Sequence, residues 1–133
     1  MAIGESFDVV DAAGTVQYTI TVVGVTVDVA CTAPGATAAE NGHLVGLQVA
    51  VTPVAGETSL DASDFFVVAS DGIATAPATA AAAACLTEAE TLPAGPLAAG
   101  QAYAGTVVLD VAAPSGSIVH RPDPAAAGAV WVF

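Results

Sequence analysis

Ser115, Ser117, His120 and Asp123 fall close together in the chain and contain the three side-chain types of a nucleophile, a base and an orienting acid. Nearness in sequence does not arrange a triad. Pro114-Ser115-Gly116-Ser117 is also ordinary turn chemistry, unlike the strained Gly-x-Ser-x-Gly elbow of a hydrolase. Carboxylate pairs at Asp61 and Asp64, and at Glu88 and Glu90, have the composition that glycoside hydrolysis uses. Both pairs sit in polar stretches, where solvated carboxylates are the simpler reading. His43 and His120 are the only histidines, so a soft-metal site would have to be completed by carboxylates, and surface or capping roles fit them better. Asp61, Asp64 and Asp71 flank one apolar run without the alternating Asp-x-Asp-x-Asp-Gly loop that wraps calcium. Asp61 and Ser63 read as turn formers, and Asp71-Gly72 as a hairpin. Gly100 to Gly105 lacks the Lys-Ser/Thr and the helix of a phosphate cradle. No residue is therefore assigned as catalytic, cofactor-binding or metal-binding, and no cofactor is expected.

The elements that would position these residues are strands. In Val16 to Val22 the even positions are apolar and the odd ones polar, the signature of a half-buried strand. After Val23-Gly24 the parity flips to Val25, Val27 and Val29, which predicts a β-bulge at Gly24 within one long strand. His43 to Thr52 follows with Val45, Leu47, Val49 and Val51 inward, closed by Pro53. Phe65 to Ala69 is a continuous apolar strand that turns at Ser70-Asp71-Gly72 into Ile73 to Ala76. Phe7 to Val10, Tyr103 to Val111, Ile118 to His120 and Ala129 to Phe133 complete the set. Only Ala78 to Glu90, with five successive alanines, competes as helix, and it is short enough to predict a helical turn or ordered loop tethered by Cys85. About eight or nine short strands between turns predict an all-β, immunoglobulin-like antiparallel sandwich, with residues 1–133 as one domain.

The chain has 133 residues, and its apolar content comes from 32 alanines and 20 valines. Against 13 acidic residues stands one basic residue, Arg121, giving a net charge of -12. That balance excludes a phosphate-tracking patch, and with it ordinary nucleic-acid binding. An anionic membrane surface would repel the chain, and no uninterrupted apolar run is long enough for a membrane helix. In so acidic a chain Arg121 is expected to pair with a carboxylate at the turn before Pro122. Trp131 reads as a core residue, with an exposed aromatic anchor as the other possibility.

Cys31 and Cys85 are the only cysteines, and a disulfide between them would stabilise so small-chained a core by roughly 4 kcal/mol. Two unrelated buried thiols are the alternative. The disulfide reading places the domain outside the cytosol. The opening Met1-Ala2-Ile3-Gly4-Glu5 shows neither the basic nor the apolar region of a signal peptide, and taken alone would read as cytosolic or trimmed.

Three stretches together carry a resemblance. They are Gly4-Glu5-Ser6-Phe7 through Asp11-Ala12-Ala13-Gly14-Thr15; Val45 to Val51 followed by Asp64-Phe65-Phe66-Val67-Val68 and Asp71-Gly72; and Leu97 to Val111, with its Gly100, Gly105 and Asp110-Val111 pattern. In that order they resemble the telokin-like, immunoglobulin-like sandwich domains of secreted proteins and lipoprotein ectodomains of Gram-positive bacteria, including the mycobacterial immunoprotective extracellular antigen family. The resemblance implies an extracellular or cell-surface location without established catalytic residues or cofactor. The chain departs from the family in Ala80 to Ala84 and in its near-absence of cations. A shared sandwich licenses fold and not function.

The functional expectation is a non-enzymatic domain acting by protein contact, as an adhesion, scaffold or accessory subunit. Its partner would be an unknown protein at the cell surface, with self-association as a variant. Sheet edges and the loops Thr32 to Gly42 and Leu92 to Gly100 are the expected contact surfaces. The alternative is an extracellular module that binds a small ligand or calcium.

Overall fold

The structure is a computed structural model that describes residues 1–93, 95–122 and 128–133. Strands β1 (Ser6–Val10), β2 (Val16–Val27), β3 (His43–Pro53) and β6 (Tyr103–Val111) form one antiparallel sheet in the order β1-β2-β3-β6. Strands β4 (Phe65–Val68), β5 (Ala74–Thr75), β7 (Ser117–His120) and β8 (Ala129–Val132) form the other, in the order β5-β4-β7-β8. The predicted antiparallel sandwich is present, with eight strands among the described residues.

Alternation along the strands builds the core between the sheets. Tyr18, Ile20 and Val22 of β2 meet Val45, Leu47, Val49 and Val51 of β3 and Val107, Leu109 and Val111 of β6. The second sheet adds Phe65, Val67, Ile118, Ala129 and Trp131. Trp131 is completely buried, as the core reading requires, and Phe133 packs partly against the same cluster. In a core of valines one indole fills space that small side chains leave, although its Nε1 finds no partner among the described residues.

The bulge lies where the parity flip puts it. Val22 pairs with Val49 and Gly24 with Gln48, so Val23 is the extra residue and points to solvent. The strand then ends earlier than the pattern implies. Asp28 adopts a positive φ of 54°, which breaks the ladder after Val27 and turns Val29 away from the main core. Val29 joins a second apolar cluster instead, on the outer face of the first sheet. There Leu44 of β3 and Val108 of β6 are covered by Ala81, Ala82 and Cys85.

That cover is the predicted helical turn, α1 (Ala80–Ala84). Five residues cannot hold a helix by propensity alone. The Thr79 hydroxyl caps it by accepting the Ala82 N–H at 3.2 Å, and the Cys31–Cys85 disulfide anchors its other end, with Cα atoms 4.5 Å apart. The β4–β5 hairpin turns at Gly72, as Asp71-Gly72 predicts, but β5 keeps only Ala74–Thr75 of the expected Ile73 to Ala76.

Candidate functional site

The chemical candidates do not assemble. Ser117 and His120 occupy opposite ends of β7 on opposite faces, because residues three apart in a strand cannot share one. Ser115 is exposed in the preceding turn, and Asp123 lies outside the described residues. His120 is fully buried, and both ring nitrogens are engaged. Nε2 lies 2.7 Å from the Tyr18 hydroxyl and Nδ1 3.1 Å from the Asp64 carbonyl. A carbonyl only accepts, so Nδ1 carries the proton and the Tyr18 hydroxyl donates to Nε2. Burial lowers the His120 pKa below its usual 6.5 and holds the ring neutral, while burial raises that of Tyr18. This histidine is a structural link between the sheets and has no nitrogen left to act as a base.

All but one of the candidate carboxylates are also occupied. Asp61 caps the 3-10 turn Ala62–Asp64 by accepting the Ser63 N–H at 2.8 Å, and Asp64 Oδ2 accepts the Asp61 N–H at 2.8 Å. Burial raises the Asp64 carboxyl above its usual range, against the pull of that Asp61 amide. Asp71 Oδ1 accepts the Ile73 N–H at 3.0 Å in its hairpin. Glu90 accepts from the Thr32 hydroxyl at 2.9 Å, whereas Glu88 stays exposed. His43 Nδ1 meets Asp28 Oδ1 at 2.7 Å on the surface. Among the described residues no three His, Cys, Asp or Glu side chains converge as a metal site, and the calcium reading gains no geometry. Arg121 is exposed immediately after β7.

Asp110, near the end of β6, organises the outer layer. Its fully buried carboxylate accepts the Glu40 N–H at 2.8 Å, the Asn41 N–H at 2.9 Å and the Thr79 hydroxyl at 2.7 Å. The Thr32 to Gly42 loop and the cap of α1 are thereby tied to β6. The Leu92 to Gly100 loop is pinned too, by buried Leu97, whose N–H reaches the Thr58 carbonyl at 2.6 Å.

The feature that alternation alone did not single out is the outer face of the second sheet. Cross-strand register places Phe66 beside Val119 and Val119 beside Val130, and in the next row Val68, Ser117 and Val132. Phe66, Val130 and Val132 are exposed, Val132 at 72 %. The strands of this sheet contain no Asp, Glu, Lys or Arg, and His120 points inward. The outer face of the first sheet is different in kind, with polar pairs Ser6–Thr21 at 2.8 Å, Asp8–Thr19 at 2.7 Å and Thr26–Gln48 at 3.2 Å. The signal in the sequence was the unbroken apolar run at Phe65 to Val68, which marks a strand with apolar residues on both faces.

A solved structure shares this architecture. A crystal structure of MPT63, a secreted protein from Mycobacterium tuberculosis, superposes with a TM-score of 0.59 at 20% identity, covering 98% of this chain and 94% of that one. The likeness establishes the fold expected from the resemblance. No protein-family model and no curated protein matches the chain by sequence.

Proposed function

We propose that this chain is a non-catalytic extracellular domain that works by protein contact, through the outer face of its second sheet. The observation that carries the reading is the pair of uncharged rows Phe66–Val119–Val130 and Val68–Ser117–Val132, in which Phe66, Val130 and Val132 are exposed and the rest half-buried and which no described element roofs, while the other sheet's outer face is polar or roofed by α1. Contiguous exposed apolar surface of this kind marks interaction sites. The disulfide, and the secreted character of MPT63, support an extracellular setting.

Charge selects the partner. A chain of net charge -12 with one basic residue repels a second copy and attracts a protein whose apolar strip is flanked by Lys and Arg. The test is photo-crosslinking in the native envelope from a reactive side chain at Val132, with one at exposed Thr26 on the opposite sheet as control. A basic protein captured from position 132 alone, and lost on Val130→Asp, is the expected result. Equal capture from both faces, or crosslinks only between copies of the chain, would overturn the reading. Both positions are exposed strand sites, so the fold tolerates the labels.

A further inference from the structure

The outer edge of β6 has a one-residue gap in its hydrogen bonding. Thr106 donates its N–H to the Glu90 carbonyl at 3.0 Å and accepts the Leu92 N–H at 3.2 Å, while Asp110 donates to the Pro77 carbonyl at 3.0 Å. At both residues the peptide groups therefore point away from β3. Alternate residues of a strand share that direction, so Val108, midway between them, aims its N–H and C=O the same way. No described residue bonds to either group. The segment around Thr91 runs parallel to β6 and pairs with it at Thr106 alone among the described residues.

Over this gap opens a cavity of about 420 Å³ between the 3-10 turn, α1 and the Thr91-Leu92 segment. That volume falls in the range of small-ligand pockets. Leu60, Ala62, Ala82, Ala83, Leu92 and Val107 make its walls apolar, and Asp61 is the one charged residue lining it. The slot therefore combines largely apolar walls with the backbone N–H and C=O of Val108 at the spacing of a peptide group, beside the hydroxyls of Ser63, Thr79 and Thr91, which already bond within the chain, and that of Thr106. A hydrocarbon would fill the walls and leave both backbone groups unpaired, a cost that protein interiors avoid.

We propose that this cavity binds a short, extended, uncharged apolar peptide segment that completes the edge of β6 by pairing with Val108. The four-residue step from Thr106 to Asp110 spans about 13 Å, enough for about three residues. Asp61 at the rim disfavours a free carboxylate, which selects an internal or capped segment. Strand addition of this kind takes affinity from main-chain bonds and selectivity from side-chain walls. The site is separate from the face of the second sheet, and either can fail without the other.

The test uses acetyl-Val-Ala-Val-amide and its depsipeptide, in which an ester oxygen replaces the central N–H. Saturable binding by calorimetry, about tenfold weaker for the ester, is expected, together with slowed exchange and a downfield shift of the Val108 amide proton. Ala83→Leu, at an exposed position on the mouth, should weaken binding by at least about tenfold without lowering the melting temperature. Equal affinity of ester and amide, an unmoved Val108 amide, or no binding at millimolar peptide would overturn the proposal. The comparison of ester with amide uses the unaltered protein and decides the question even if the Ala83→Leu variant folds poorly.

Discussion

His120 and Tyr18 form a buried donor–acceptor pair whose loss is asymmetric. Removing one partner by Tyr18→Phe leaves the His120 Nε2 without a donor and should cost about 1–3 kcal/mol, whereas replacing both by Phe removes that orphaned nitrogen, leaves only the Asp64 carbonyl without its imidazole donor, and should cost less than the sum of the single changes. The pair also sets a pH dependence. Because the folded pKa of His120 lies below 6.5, the folded protein binds fewer protons than the unfolded one, and its contribution is complete above pH 6.5 and lost as the pH falls below it. Asp64, raised above 3.8, works the other way, contributing stability at low pH that fades as the pH rises through its folded pKa. Urea titrations at pH 7.5 and 5.5 should show the native protein weaker at 5.5, and the double Phe variant nearly level. An unchanged difference would remove His120 as the cause. Gly105 is a second residue-scale test, since a Cβ there would lie 2.4 Å from the Leu92 nitrogen and 2.6 Å from its Cα. These are backbone atoms with no rotamer to move, so Gly105→Ala should push the Thr91-Leu92 segment off β6 and cost about 1–3 kcal/mol in denaturant unfolding.

Among the elements, α1 depends most on its attachments. Ala81 and Ala82 contribute little area each, and the helix stays on β3 and β6 through the Cys31–Cys85 bond, the Thr79 cap and Asp110 beneath it. The double change Cys31→Ser with Cys85→Ser is expected to lower stability by about 2–5 kcal/mol. Hydrogen exchange should locate the loss, with faster exchange in α1 and the Thr32 to Gly42 loop and continued protection of the β2–β3 ladder. Uniform loss of protection would mean that the outer layer and the sandwich unfold as one unit. The loops that composition marked as contact surfaces have inward duties in the structure, through Asp110 in one case and Leu97 in the other.

For the molecule as a whole, charge acts on folding and on partner binding in opposite directions. Thirteen acidic residues against one basic residue leave a self-repulsion that salt screens, as the Debye length shrinks from about 30 Å at 0.01 M to about 8 Å at 0.15 M. The melting temperature should rise over that interval, while attraction to a basic partner at the second sheet weakens. Scanning calorimetry and binding measured in the same buffers check both. A melting temperature that is flat or falls with salt would show that the carboxylates are individually satisfied, as Asp11, Asp61 and Asp110 are by neighbouring N–H groups.

Period-2 alternation in Val16 to Val22 and Val45 to Val51 was enough to assign strands and their buried faces, because a strand that buries one side has no other register available. The parity flip at Gly24 located the bulge for the same reason, and two cysteines in a chain of small side chains pointed to the bond that is present. The positive φ of Asp28, which sends Val29 to the outer layer, left no such trace, since it depends on what the chain meets after leaving the ladder. Asp110 reads as one more polar residue in an alternating strand until the loop and helix cap fold over it. The uncovered face of Phe66, Val119, Val130 and Val132 and the open edge at Val108 are likewise products of tertiary structure. Periodicity along the chain states which residues share a face, and only the packing of distant segments decides which faces and edges are left without a neighbour.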